Sequence, residues 1–249
     1  NPTGTNLLNA VAEYNIDITG TKFTTSHTNE AGYTGYFTWA EAKALQMPAG
    51  YHLPTRYEWT AILGADNYAP NSSACVYFNQ NVTKKDVSQR VQIPVEPSST
   101  VTTMTCLQDY KQVAAESATY MIRYKDNDTY RSAWRYSWVD GPIAGQKVLK
   151  IESVPVKAGL TIDQLNKDYF ALPKVSKYVK TIYLPATGCD YNQDGSGSGR
   201  FRGSNGYYLS ATAYNSSNPY FVFFYSTFAY VASYDTQTTR DAVRPFRGI

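Results

Sequence analysis

"GYHLPTRYEWTAILG", Gly50 to Gly64, is the stretch on which the reading of this chain turns. Thr55 precedes Glu58 by three residues, the spacing of a capping box. In that device the threonine hydroxyl accepts from the Glu58 N–H, and the Glu58 carboxylate reaches back to the Thr55 N–H. Trp59, Ile62 and Leu63 then make an apolar stripe, and Gly64 stops the helix. The device recurs upstream in "YFTWAEAKALQM" (Tyr36–Met47), with Thr38 and Glu41 at the same spacing. Two short helices beginning at Thr38 and Thr55 are predicted, with Trp39 and Trp59 directly inside their caps. They are expected to form one layer against a C-terminal sheet.

Around these helices the chain reads mostly as strand. "AEYNIDITGTKFTT" (Ala12–Thr25) alternates and is β-branched, so one or two strands are expected there. "ATYMIRYKDNDTYRSAWRYSWVD" (Ala118–Asp140) reads as a long hairpin turning at Lys125-Asp126-Asn127-Asp128. "TIDQLNKDYF" (Thr161–Phe170) reads as a short helix started by Thr161. From Thr181 onward apolar strands alternate with Gly/Ser/Asn turns, ending on "DAVRPFRGI". The expected class is α+β.

Composition narrows the functional classes. Aromatics reach 15% while charged residues are only 17%, and 23 Tyr stand against 10 Phe. Tyrosine suits a pleated surface whose hydroxyl edge stays wet. A net charge of +3, with no basic run, argues against a nucleic-acid partner. No apolar run approaches the roughly 20 residues of a membrane-spanning helix. The opening Asn1-Pro2-Thr3-Gly4 is compatible with a mature secreted chain. The three cysteines, Cys75, Cys106 and Cys189, are too widely spread for a zinc site. A Cys75–Cys106 disulfide and three buried thiols both remain open.

Three segments together carry a resemblance. "GYHLPTRYEWTAIL" is similar to the G-x-x-L-P-T-x-x-E-W element of C-type-lectin-like domains related to the formylglycine-generating enzyme. "YLPATG" (183–188) followed by "GYYLSAT" (206–212) resembles the F-P-A-x-G … G-x-Y-W-S-S-T pattern of a large paralogous family from Bacteroidetes and Fibrobacteres. "AVRPFR" (242–247) resembles that family's terminal S-V-R-P-V-R. Leu209 stands where that family has Trp, and Ala242 where it has Ser.

The resemblance implies a single C-type-lectin-like domain over 1–249, with two short helices, a mixed or antiparallel sheet and long loops. Its core segments would be about 11–64 and 181–249, with an insertion at about 65–180. It also implies a secreted or outer-surface protein, linked to adhesion or fimbria-like structures, with a lipid anchor upstream as one means of attachment. Some such proteins are diversified by retroelements that mutate adenines. Asn codons treated so cannot yield Lys, Glu, Gln, Trp or Met, and Tyr207–Thr236 contains none of these. An exposed strand-and-turn composition explains that absence as simply.

Binding residues are sought in "YFVFFYSTFAYVASYDT" (Tyr220–Thr236). In a strand over Tyr220–Tyr225, alternate residues take opposite faces. The resembled family keeps apolar residues at the places of Val222 and Phe224, which are therefore assigned to the core. Phe221, Phe223 and Tyr225 then look outward, joined by Tyr214, Tyr230, Tyr234 and Asp235, in one contiguous patch. Rigid rings among short polar groups resemble a binding paratope, and the expected ligand is an extracellular protein or glycan. The competing readings are a fimbria-like structural subunit whose rings are buried in an assembly, and an enzyme with Asp190, Asp194 and Asp235 in a cleft.

Catalytic residues are not assigned. Of the two histidines, His27 and His52, the second lies inside the capping element and is expected to pack locally. The formylglycine-generating relatives bind copper through a cysteine pair near the C-terminus, and here none follows Cys189. "DYNQDGSGSGRF" (190–201) places Asp190, Asn192 and Asp194 before Gly195, like the first half of a calcium loop. Phe201 stands where the twelfth-position Glu belongs, so a solvated turn competes with a Ca2+ site. Arg244, between Val243 and Pro245, is expected to be structural, held by carboxylate or carbonyl partners.

Overall fold

A computed structural model describes residues 2–65, 75–96, 101–190, 200–232 and 239–249. Strand makes up 40% and helix 15%, so the protein is mostly β with antiparallel sheets, carrying the short helices and many strands expected of the α+β reading. Among the described residues only one helix reaches seven residues. The helices are α1 (Trp39–Ala44), α2 (Arg56–Ile62), α3 (Lys167–Ala171) and α4 (Pro173–Ser176). The first strands are β1 (Tyr51–His52), β2 (Val76–Tyr77), β3 (Thr83–Ile93), β4 (Thr102–Val113), β5 (Ala118–Arg123) and β6 (Ser132–Asp140). The others are β7 (Lys147–Pro155), β8 (Lys180–Pro185), β9 (Gly206–Ala213), β10 (Pro219–Phe224), β11 (Phe228–Ala232) and β12 (Phe246–Arg247).

Strands β3 to β8 form one six-stranded meander in sequence order, and every named pairing is antiparallel. Five of its strands come from the 65–180 segment and β8 follows directly. The expected hairpin is β5–β6, with Ile122 opposite Ala133. Strand β5 is buried along its whole length. Alternation sends Ala118, Tyr120 and Ile122 to a small cluster beneath Phe170 and Val175, and Met121 to the main core.

The second sheet has four strands in the order β2-β11-β10-β9. Its inner face gives Val76, Tyr208, Val222, Phe224, Ala229 and Val231 to the main core, which also holds Trp134, Tyr136, Leu149 and Ile151 of the meander. Trp138 meets Phe224 edge-on at 6.2 Å. The 65–180 segment therefore covers the inner face.

Helix α2 packs among these layers. Thr55 and Glu58 form the full reciprocal capping box. At α1, the Thr38 side chain accepts from the Glu41 N–H, while the Glu41 carboxylate pairs with Arg240 at 2.7 Å. The expected single layer against the C-terminal sheet is only part of the packing. Helix α2 also lies against β3, where the Thr60 hydroxyl donates to the Arg90 carbonyl at 2.7 Å. The helix ends at Ile62 with Leu63 extended, so Gly64 does not act as a left-handed stop. It is needed for close approach, because a Cβ there would come within 2.3 Å of Met121 Sδ.

The end of α2 is held by a buried guanidinium. Arg123 donates to the Thr60 carbonyl at 2.6 Å and to the Ala61 carbonyl at 2.9 Å, and to Gln108 Oε1 at 2.8 Å. A cation at a helix C-terminus also meets the negative end of the backbone dipole.

Two local expectations are corrected. Ala12–Thr25 forms isolated bridges, Ile16 to Phe23 and Asp17 to Thr34, where strands were expected. Two of its N–H groups go to the C-terminal segment, Ala12 to the Pro245 carbonyl at 2.9 Å and Ile16 to the Val243 carbonyl at 3.0 Å, while Asp17 and Ile18 bond to the Lys22 and Tyr33 carbonyls. Thr161–Phe170 splits into a 3-10 turn over Ile162–Gln164 and α3, whose own N-cap is Asn166.

Candidate functional site

The outer face of the four-stranded sheet is a sheet of rings. Phe223 is at its centre, opposite Tyr207 on β9 and Tyr230 on β11. Phe228 lies across from Tyr77 of β2. Tyr225 closes the β10–β11 turn, with its N–H on the Phe228 carbonyl at 3.0 Å. Ring centroids lie 5.1 Å apart for Tyr207–Phe223, 5.7 Å for Phe223–Tyr230 and 4.6 Å for Phe228–Tyr230. The chain of contacts continues through Tyr225–Phe228 at 4.8 Å and Tyr77–Phe228 at 5.7 Å. Tyr77, Tyr207, Phe223, Tyr225, Phe228 and Tyr230 are each half-buried, so the face remains in contact with solvent.

Strand alternation thus has the expected phase, with Val222 and Phe224 both 0% exposed. Phe221 is the correction: it lies on the outer side but is only 7% exposed. Tyr207 stacks on it at 6.0 Å and 16°, and Leu209, its partner across the ladder, belongs to the small core over α1. Tyr214 is exposed but packs edge-on against Tyr220 at 5.6 Å, whose ring Arg56 covers at 4.1 Å. The single contiguous patch expected to include Tyr214 is instead centred on Phe223. Tyr234 and Asp235 lie outside the described residues.

Tyr77, Tyr207 and Phe228 went unassigned in the sequence. Phe228 could have been found by alternation with Tyr230, and Tyr207 by alternation with Tyr208. Tyr77 reaches the site only through the β2–β11 pairing, which no local pattern announces.

Beside the rings is a recess of about 170 Å³ lined by Cys75, Val76, Tyr77, Phe228, Ala229 and Tyr230. Burial, and then the neighbouring Tyr225 and Tyr77, raise the Tyr230 phenol above its ordinary range. Burial, followed by Cys75 and Tyr225, raises Tyr77. The phenols therefore stay protonated at neutral pH and present neutral hydroxyls. Such a surface can bind and orient a ligand through apolar area and hydrogen bonds.

The other candidates sit elsewhere. Asp190 is fully buried, with its backbone bridged to Arg240, and Asn192 and Asp194 lie outside the described residues. Among the described residues no three His, Cys, Asp or Glu side chains are grouped to hold a metal. His52 Nε2 lies 2.7 Å from Glu58 Oε2, and Glu58 Oε1 accepts from the Thr55 N–H at 3.0 Å. Both carboxylate oxygens are thus engaged in local structure. The three cysteines are not joined to one another, so the Cys75–Cys106 bridge is absent. Among the described residues no helix is long and apolar enough to cross a membrane.

With this geometry in hand, comparison with known proteins gives one result. A family model described as a domain of unknown function, DUF8237, matches residues 3–246. The chain belongs to the DUF8237 family. The match spans the six-stranded and four-stranded sheets and α1 to α4. No curated protein and no solved structure matches the chain.

Proposed function

We propose that this DUF8237 protein is a secreted or cell-surface module of C-type-lectin-like fold, which uses the ring-covered face of the four-stranded sheet to hold an extracellular protein. The observation that carries the reading is the continuous row of half-buried rings centred on Phe223. An apolar face left in contact with water favours a partner that covers it.

The ring geometry favours a protein over a glycan here. Phe223–Phe228 and Tyr225–Phe228 meet at 74° and 80°, while Phe223–Tyr225 and Phe228–Tyr230 stack at 26° and 14°, so ring faces are spent on neighbouring rings. Sugars stack on open ring faces, whereas a low aromatic relief with a side recess suits an inserted anchor side chain.

The fold assignment is supported by where the resembling segments meet. Trp59 of the L-P-T-x-x-E-W element lies 4.8 Å from Phe246 of "AVRPFR" and 6.3 Å from Tyr208 of "GYYLSAT". The Tyr208 hydroxyl donates to the Pro185 carbonyl of "YLPATG" at 2.8 Å, and β1 pairs with β12. The resembling segments meet around Trp59 and Tyr208.

The test is binding of the purified domain to a panel of extracellular-matrix and mucosal proteins, compared with Phe223→Ala, Tyr225→Ala and Phe228→Ala. Saturable binding by the parent and loss by the variants supports the reading. Binding that survives all three substitutions removes this face from recognition. Concentration-dependent self-association abolished by the same substitutions would assign the face to assembly.

A further inference from the structure

A second surface has a different chemistry. Where β7 ends, the backbone turns at Ala158-Gly159, with Gly159 at φ 99°, and leads to α3 and α4. Between this turn and the helices runs a groove of about 570 Å³, whose lining includes Val156, Lys157, Leu160, Tyr169, Lys174 and Tyr178. It continues into a hollow of about 300 Å³ lined by Asn6, Asn9, Lys177, Tyr178 and Lys180, among others. The two share Pro2, Pro155 and Tyr178, so they form one elongated channel.

Its charge is one-sided. Lys157, Lys174, Lys177 and Lys180 line it, and no Asp or Glu appears among the described lining residues. All four lysines are exposed, and none makes an ion pair among the described residues. Some lysines elsewhere are paired, as Lys125 with Asp86 and Asp109, and Lys147 with Asp140. With a net charge of only +3 for the whole chain, this concentration of unpaired cations in one groove is local. Between the lysines the walls are apolar or phenolic: Val154, Val156, Leu160 and Val175, with Tyr169 and Tyr178 half-buried. The Lys177 ammonium lies 5.0 Å from the Tyr178 ring centroid, so charge and ring face are presented together.

We infer that this channel is a binding site for an acidic oligosaccharide, a short glycan carrying uronate carboxylates or sulfates. Its volume is in the range of a small-ligand site. A pyranose offers an apolar C–H face to lie on Tyr178 or Tyr169, while its acidic substituents reach the lysines at intervals. Phenol rings and lysines together on the channel walls suit a sugar chain that carries acidic substituents. They suit less well the closely spaced phosphates of nucleic acid, whose charge density a protein of this small net charge does not balance. The site is built from other residues than the ring-covered face, and its existence does not depend on the function proposed for that face.

Titration calorimetry at low salt with tetragalacturonate and with a heparin-derived tetrasaccharide tests it, with maltotetraose as the neutral control. The expected result is saturable binding of an acidic tetrasaccharide and none of maltotetraose. Lys174→Gln/Lys177→Gln, both solvent-exposed changes, should weaken it about tenfold or more through loss of charge-assisted contacts. Tyr178→Ala should weaken it while leaving the lysines in place, and Phe223→Ala should not change it. Hexaglutamate or oligothymidylate binding as tightly as the glycans would overturn the assignment in favour of an unselective anion surface. Retention of full glycan affinity by the double lysine variant would overturn the site itself.

Discussion

Replacement of Arg244 tests how the two ends of the chain are tied together. Its guanidinium is fully buried and donates to Asn15 Oδ1 at 2.7 Å, the Ala12 and Glu13 carbonyls at 3.1 and 3.0 Å, and the Tyr183 carbonyl at 2.8 Å. The partners are amide and backbone oxygens, so no carboxylate among them offsets the cost of burying the charge. Burial lowers its pKa to about 10 from an ordinary 12.5. Four hydrogen bonds from a charged donor, at ~1.5 kcal/mol or more each, contribute roughly 6 kcal/mol, against a desolvation penalty of several kcal/mol for a buried ion. Removing the charge from such a cage leaves its acceptors unpaired and is expected to cost about 3 kcal/mol.

Arg244→Met, which keeps volume, should therefore lose about 3 kcal/mol, and Arg244→Ala about 5 kcal/mol once a cavity of ~2 kcal/mol is added. Urea denaturation followed by tryptophan fluorescence reads both as a lower midpoint at unchanged slope. Amide exchange should show Ala12–Asp17 opening first. An Arg244→Met protein as stable as the parent would refute the balance, and would mean that burying the charge cancels the cage. Ligand affinity per folded molecule should be unchanged in either variant.

Other outcomes follow from single contacts. His27 lies between the rings of Tyr14 and Tyr183, at 4.7 and 5.1 Å, and burial followed by the Arg244 charge lowers its pKa to about 4, with Glu13 opposing. The unfolded chain thus binds the proton more readily, and stability should be full above about pH 6.5 and fall as pH drops towards 4. Discounted for partial exposure, the loss is about 1–2 kcal/mol, and His27→Phe should flatten that part of the Tm–pH curve. Gly206→Ala should destabilise by about 1–3 kcal/mol, because its Cβ would meet the Phe224 ring at 2.0 Å; an unchanged Tm would show that the ring yields freely. Thr55→Ala, which removes half of the capping box, should lower stability by about 1 kcal/mol in the same denaturation assay.

Features written in short local spacing were legible. The Thr55–Glu58 box, the β5–β6 hairpin and the inward phase of Val222 and Phe224 each depend on residues a few positions apart. Long-range choices were not. Ala12–Thr25 alternates like a strand, yet its Ala12 and Ile16 amides go to Pro245 and Val243, a pairing settled by the far end of the chain. The 65–180 segment gave no sign that its strands would pair in sequence order and cover Phe224 with Trp138. At the site, alternation located Phe223 but overestimated Phe221, because exposure depends on what lies over a side chain as well as on the face it takes. Tyr230, expected on an adjoining loop, is on strand β11. Tyr77 was invisible, since a two-residue strand has no pattern to read. The lysine channel escaped for the same reason: Lys157, Lys174, Lys177 and Lys180 look like scattered surface charges until the chain brings them together.

The central claim is that the face around Phe223 touches a protein partner, and site-specific photocrosslinking tests it most directly. A benzoylphenylalanine replaces Phe223 in one version and exposed Leu172, between α3 and α4, in another. Each is irradiated with an extracellular protein that the parent domain binds saturably. Covalent adducts from position 223 and none from position 172 are predicted. Adducts from 172 with none from 223, at equal occupancy, would contradict the account and leave the ring-covered face without its assigned role.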